Sequence, residues 1–156
     1  MDIYYEGQVL WAQIDANQHM RHSAYADFAA QARLTLLESL GLKPSVLYGF
    51  KIGPVLFREE LFYLREIGIN EHIKVTCEII KARPDGSRWT IRHELYRGDG
   101  IKSAIIIADG AWIDMEKRKL AILPSQLSEL FMHAPKSADY VEELVKTSNQ
   151  IIKNSD

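Results

Sequence analysis

One short stretch concentrates the residues able to do chemistry: Trp11-Ala-Gln-Ile-Asp15-Ala-Asn17-Gln18-His19-Met20-Arg21-His22-Ser23-Ala-Tyr25. A strand is expected to end near Ile14, a polar turn carries Asp15, and a long apolar helix opens a few residues later with Ser23 as a good N-cap. A helix start presents unpaired backbone N–H groups and a partial positive charge. Carboxylates are ionised at neutral pH without special tuning. One held beside such donors can attack a carbonyl, or activate water to attack it, while the donors at His22 and Ser23 hold the developing oxyanion. The competing reading makes Asp15 a turn residue whose side chain bonds nearby amides.

Asp15, His19 and His22 are also three potential metal ligands, the number of protein ligands in a hydrolytic zinc site. No fourth group is evident nearby, although His72 and His93 are free to approach through the fold. A structural His19, its ring bonding turn carbonyls, is preferred, and no metal is assigned. His22 reads equally as an exposed helix-end residue and as a pocket wall. His93 shares an apolar strand face with Trp89, Ile91 and Leu95 and reads as a satisfied core histidine. Cys77, also facing inward, reads as a small buried hydrophobe with no activating partner. Glu59 and Glu60 read as a solvated pair at a strand edge, with the alternative that one reaches a partner subunit's turn. No Gly-x-Ser-x-Gly elbow, Walker sequence or dinucleotide loop occurs.

The elements that position these groups follow from periodicity. Residues 4–14 read as a first strand. Over residues 23–40, Phe28, Ala32, Leu36 and Leu40 recur every four positions, widened by Ala29 and Leu37, so one broad helical face is buried. Gly41 and Pro44 end that helix, roughly 27 Å long at its 1.5 Å rise. A loop runs through Tyr48-Gly49-Phe50. Strands follow over residues 52–67, bent near Glu59-Glu60, then 72–83, 88–97 and 101–115, with turns at Gly68-Ile-Asn70-Glu71, Pro84-Asp85-Gly86 and Gly98-Asp99-Gly100. Gly110 marks a bulge or a close approach. Helices are expected at residues 125–131 and 137–152. The sum is an α+β fold, an antiparallel sheet wrapped around one long helix, with C-terminal helices. It divides into a main body, residues 1–124, and a helical extension of the same domain, residues 125–156. The centre of the last long strand, Ile105-Ile-Ile107, is apolar on both faces, which leads us to expect a symmetric homodimer.

The 156 residues are enough for one self-sufficient core, and 47% apolar with 26% charged residues is ordinary for a globular chain. A net charge of −2 favours neither nucleic acid nor an anionic membrane as partner. One cysteine forbids an intrachain disulfide and a multi-cysteine zinc site. The first residues lack the basic and apolar blocks of a signal peptide, so a cytoplasmic location is expected.

The pattern Asp15-Ala-Asn17-Gln-His19-Met20-x-x-Ser-Ala-Tyr25, then Phe28 and Ala32-Arg33, resembles the signature of the hot-dog-fold acyl-CoA thioesterases, of the 4-hydroxybenzoyl-CoA thioesterase type. Gly53-Pro54-Val55, Tyr63-Leu64-Arg65 and the strands up to Pro124 follow the same layout. The resemblance implies a hot-dog fold with a five-stranded antiparallel sheet. It also implies dimers that often pair into tetramers, with active sites at the dimer interface, and a thioester of coenzyme A or of acyl carrier protein as substrate. No cofactor is implied beyond the coenzyme A of the substrate. Residue by residue, it makes Asp15 the catalytic carboxylate and His22 the position whose backbone N–H polarises the thioester carbonyl. Tyr25 matches a recurrent aromatic and, with Phe28, is expected to line the acyl pocket. Arg83, Ser87 and Arg88, with Lys81, are expected near the coenzyme A phosphates; their alternative is a charged hairpin that keeps a sheet edge soluble. The sequence departs from the pattern where Gln18 replaces a usual Gly and Arg21-His22 replace Asn-Asn. Those departures motivate a second reading, a non-catalytic acyl-CoA-binding protein on the same scaffold.

Overall fold

A computed structural model describes residues 2–144. The chain runs β1 (Ile3–Gln8), α1 (His22–Ser39), α2 (Pro44–Gly49), β2 (Ile52–Tyr63), β3 (His72–Thr76), β4 (Glu78–Ala82), β5 (Arg88–Tyr96), β6 (Lys102–Asp114), β7 (Lys119–Ala121), α3 (Ser125–Phe131) and β8 (Lys136–Glu142). The long helix lies one residue earlier than its pattern predicts. Arg21, not Ser23, is the extended cap residue, because the Ser23 hydroxyl is taken by Arg21 Nε at 3.0 Å and the Arg21 amide is tied to the Gln13 carbonyl at 2.7 Å.

β3 and β4 follow one another along β5, so the five main strands lie in the order β1, β3/β4, β5, β6, β2. The pairings within this set are antiparallel. β7 continues the lane of β5 beside β6, and β8 continues the lane of β1 beside β4. The inward alternation of β5 is complete: Trp89, Ile91, His93 and Leu95 are buried while Thr90, Arg92 and Glu94 are half-buried. Ala24, Ala29 and Ala32 of α1 are fully buried, and these small residues let the helix settle closely onto the sheet.

Several expectations are corrected. The first strand stops at Gln8; Trp11–Gln13 make a short 3-10 turn, closed by the Gln13 side chain on the Leu10 amide at 2.8 Å. The loop after α1 contains α2, with Pro44 in its first turn where a missing N–H costs nothing. β2 ends at Tyr63, and its irregularity lies between Leu56 and Arg58 rather than at Glu59-Glu60. The strand over residues 72–83 breaks at Cys77, where Thr76 turns its hydroxyl to the Glu94 amide and its carbonyl to His93. The expected helix at 137–152 is overturned where it can be seen: residues 136–142 form β8, parallel to β4, with Asp139 paired to Arg92 at 3.2 Å. The remainder of that stretch lies outside the described residues. Among the described residues no helix is long and apolar enough to cross a membrane.

Candidate active site

The turn before α1 is pinned on both sides. Asp15 N donates to His19 O at 2.8 Å and Gln18 N to Asp15 O at 3.0 Å. Met20 N donates to Ile67 O at 2.7 Å, and Arg21 ties the turn to the helix through Ala12 O and Ser23 Oγ. Gln18, where a glycine is usual for the resembled family, sits in the left-handed region at φ 64°, a conformation that glycine adopts more readily.

Asp15 is exposed, and its Oδ1 accepts the Asn17 amide at 2.9 Å and the His19 amide at 3.3 Å. The turn role is therefore real, and it leaves Oδ2 without a protein partner among the described residues. The amides of His22 and Ser23, the first two of α1, also have no protein acceptor among the described residues, as the geometry of a helix start dictates. Tyr25 is buried and meets Tyr63 edge-on with ring centroids 5.1 Å apart. Burial, then Tyr63, then the charge of Asp15 raise the Tyr25 hydroxyl above its ordinary pKa. Tyr63 Oη donates to the His22 carbonyl at 3.3 Å. Together His22, Tyr25, Tyr63 and Leu64 line an open depression of about 300 Å³, with His19 and Glu66, which pair at 3.4 Å, also on its wall; Asp15 is not among the lining residues. Among the described residues no three His, Cys, Asp or Glu side chains converge as metal ligands.

Phe28 does not line this depression. It lies one turn further along the buried face of α1, where its ring packs 5.5 Å from that of Tyr5 on β1. Arg83, Ser87 and Arg88 lie at the opposite end of β5 from the residues that pair beside Tyr63. Seven residues of strand put them about 24 Å away. Arg83 pairs with Glu143 at 3.3 Å and Ser87 is buried. Arg88 lies over the Phe57 ring at 5.3 Å and, with Lys81 and Arg58, borders a polar depression of about 340 Å³.

A second polar group lies deeper. His93 is fully buried; Nδ1 donates to Thr76 O at 2.9 Å, which leaves Nε2 to accept from Arg33 Nη1 at 3.1 Å. Burial, reinforced by the Arg33 charge and opposed by the Thr76 carbonyl, brings the His93 pKa down to about 3, so the ring is neutral. Glu59, exposed on β2 as expected, also lies 3.6 Å from Arg33 Nη2 through its Oε1, and the half-buried Glu60 pairs with Arg58. Burial pushes the Cys77 thiol up to about 12. Sequence reasoning quoted Arg33 and Tyr63 only within motifs and gave them no role. The one available signal was their spacing: Arg33 lies two turns beyond Tyr25, on the helix edge that β2 borders.

A family model described as the thioesterase-like superfamily matches residues 9–131. No curated protein matches the chain. Among solved structures, a hypothetical protein of Staphylococcus aureus in complex with CoA superposes with a TM-score of 0.78 at 18% identity, covering 96% of this chain and 92% of that one. A DHNA-CoA thioesterase from Staphylococcus aureus gives 0.76 at 19% identity, covering 83% and 87%. A probable thioesterase from Escherichia coli gives 0.71 at 18% identity, covering 86% and 100%. At such identities these likenesses speak for the fold, which is the hot-dog fold: one long helix wrapped by the antiparallel sheet.

Proposed function

The chain belongs to the thioesterase-like superfamily, and on that premise we propose that it hydrolyses an acyl-CoA to the free acid and coenzyme A. Two observations support this reading: the amides of His22 and Ser23 at the start of α1 have no protein acceptor among the described residues, and Asp15, in the turn that leads into that helix, keeps one carboxylate oxygen free and acts on the Tyr25 hydroxyl of its first turn. The thioester oxygen is held by those amides as it gains charge. Asp15 Oδ2 takes a proton from a water that attacks the carbonyl carbon, or attacks it directly to give a mixed anhydride that water then hydrolyses; in either case the C–S bond breaks and coenzyme A leaves as the thiolate, which takes up the proton released. Tyr63, bonded to the His22 carbonyl, steadies the helix start, and Tyr25 forms the floor beneath the reacting carbonyl. The Tyr25 hydroxyl, raised in pKa, stays protonated and neutral beside the Asp15 charge.

The reaction needs only substrate and water; coenzyme A enters as part of the substrate, and an acyl carrier protein thioester is the alternative carrier. Arg88 and Lys81 are the cations we assign to the phosphates, in place of Arg83 and Ser87, which the fold occupies elsewhere. The outer edge of β2 pairs with nothing among the described residues and exposes Leu56, Phe57, Phe62 and Tyr63. A second copy joined along this edge would make a homodimer and satisfy the free backbone groups. Dimers of this kind pairing again into tetramers, and a cytoplasmic location, complete the proposal.

The exposure of Asp15 and its engagement in the turn favour one rival, an acyl-CoA-binding protein without turnover. Incubation of the purified protein with a panel of acyl-CoAs, with free thiol followed over time, separates the two. Multiple turnovers on at least one thioester support hydrolysis; stoichiometric binding with no thiol release across the panel supports the rival.

A further inference from the structure

The net charge of −2 hides a local reversal at one end of the sheet. β6 ends at Asp114, and residues 115–118 turn the chain into β7. Asp114 folds that turn: its Oδ1 accepts the amides of Glu116 and Lys117, each at 2.9 Å, and its carbonyl accepts that of Arg118 at 2.8 Å. The carboxylate is thereby used by the backbone. Glu116 is taken by Lys51 at 2.5 Å, while Lys117, Arg118 and Lys119 are exposed and have no carboxylate partner among the described residues.

The same end carries large apolar side chains that the core does not take. α2 ends in Tyr48 and Gly49, and Phe50 and Lys51 lead into β2. Ile52 pairs with Asp114, which pairs in turn with Lys119. Three neighbouring strands therefore bring Phe50 and Leu120 to one end of the sheet, with Ile52 and Lys119 about 10 Å apart. Tyr48 is 74% exposed, Phe50 41%, Leu120 52% and, two residues on, Ile122 71%. An apolar hollow of about 220 Å³ adjoins them, lined by Leu42, Leu47, Tyr48, Pro54 and Met115 among others. Single exposed apolar residues need no explanation, but four of them around a basic turn do.

Cations set among aromatic and aliphatic side chains suit a surface that is anionic outside and apolar beneath. Aromatic rings settle at such a boundary, and lysine and arginine lay their stems along it with their charges at the phosphates. A protein partner fits less well. A stable protein interface buries about 800 Å² on each side, and one hairpin turn beside the end of a six-residue helix presents a smaller, projecting surface. A lipid surface requires no complementary shape. The twelve residues of β2 separate this end from Tyr63 by roughly 36 Å, so docking here leaves the candidate active site clear.

We propose that this end of the molecule docks on the surface of an anionic phospholipid bilayer. Tyr48, Phe50 and Leu120 enter the headgroup boundary, and Lys117, Arg118 and Lys119 bind lipid phosphates. The docking uses no residue of the candidate active site and stands independently of the thioesterase reading.

Sedimentation of the full-length protein with lipid vesicles tests it, using phosphatidylcholine alone or mixed with phosphatidylglycerol. The wild type should bind the mixed vesicles, leave them in high salt, and ignore the neutral ones. Each cation near such a surface adds about fivefold in affinity, so Lys117→Gln, Arg118→Asn and Lys119→Gln together should weaken binding about 100-fold. Asn is chosen at position 118 because it tolerates the left-handed backbone there, φ 56°. Tyr48→Ser with Leu120→Ser should weaken binding at least about tenfold with the charges intact. Thermal unfolding near that of the wild type identifies both variants as folded. No binding by the wild type, equally tight binding to neutral vesicles, or unaltered binding by either variant overturns the proposal. Binding to an acidic acyl carrier protein and not to the mixed vesicles would assign this surface to a protein partner and overturns it as well.

Discussion

The buried imidazole of His93 makes stability depend on pH in a way that can be worked out in advance. Its pKa falls from an ordinary 6.5 to about 3 because burial and the Arg33 guanidinium both disfavour the charged ring. The neutral form is the one that folding selects. The associated stability is fully present above the unfolded value, is lost progressively as pH falls below it, and levels off only near the folded value. At pH 5 the ring is about 1.5 units below its unfolded pKa and still neutral in the fold, so the loss relative to pH 7.5 is about 2 kcal/mol. The assay is urea unfolding at both pH values for the wild-type protein and for His93→Gln, whose amide oxygen can still accept from Arg33. The variant should be less stable at pH 7.5 by about 1–3 kcal/mol. Its further loss on acidification should be about 2 kcal/mol smaller than that of the wild type, since the other titrating groups are common to both. Parallel pH curves for the two proteins would refute the assignment of a neutral, charge-opposed His93.

Three further outcomes are expected. Gly110→Ala should destabilise by about 1–3 kcal/mol in thermal unfolding, because the added Cβ meets the Trp89 ring at 2.3 Å and the Val55 carbonyl at 2.7 Å, and the latter is backbone that cannot swing aside. Cys77, 1% exposed with its thiol raised to about 12, should not react with a disulfide reagent in the native protein and should react fully in denaturant; native reactivity would contradict its burial. Phe62→Lys on the exposed face of β2 should convert a dimer to a monomer in light scattering, and a monomeric wild type, or a dimer that survives the change, would argue against pairing through this edge.

What sequence reveals here is what local patterns control. The four-residue recurrence of α1 placed it within one residue, because burial of one face sets both the pattern and the element. The strict alternation from Trp89 to Leu95 marked the inward face of β5, His93 included, and Gly110, read as a bulge or a close approach, lies against the Trp89 ring. β8 was misread because Val141, Leu144, Val145 and Ile152 follow one another as a weak apolar stripe over residues 137–152, while the strand form of residues 136–142 depends on β4, more than fifty positions earlier, and on the Asp139–Arg92 pair. The break at Cys77 depends on Thr76 bonding to β5 with its side chain, which alternation does not encode. At the candidate site the sequence identified the turn and the helix start. The fold added Tyr63 against Tyr25, moved Phe28 to β1, and left Arg83, Ser87 and Arg88 at the far end of the sheet.

The central claim concerns one carboxylate oxygen. Asn at position 15 retains an oxygen for the Asn17 and His19 amides, so Asp15→Asn removes the charge with little change to the turn. The decisive measurement is kcat for this variant on the best acyl-CoA, with coenzyme A affinity measured on the same sample. Loss of general-base catalysis predicts a fall in kcat of at least about 100-fold with affinity within about threefold of the wild type. A variant that turns over at the wild-type rate would contradict the claim.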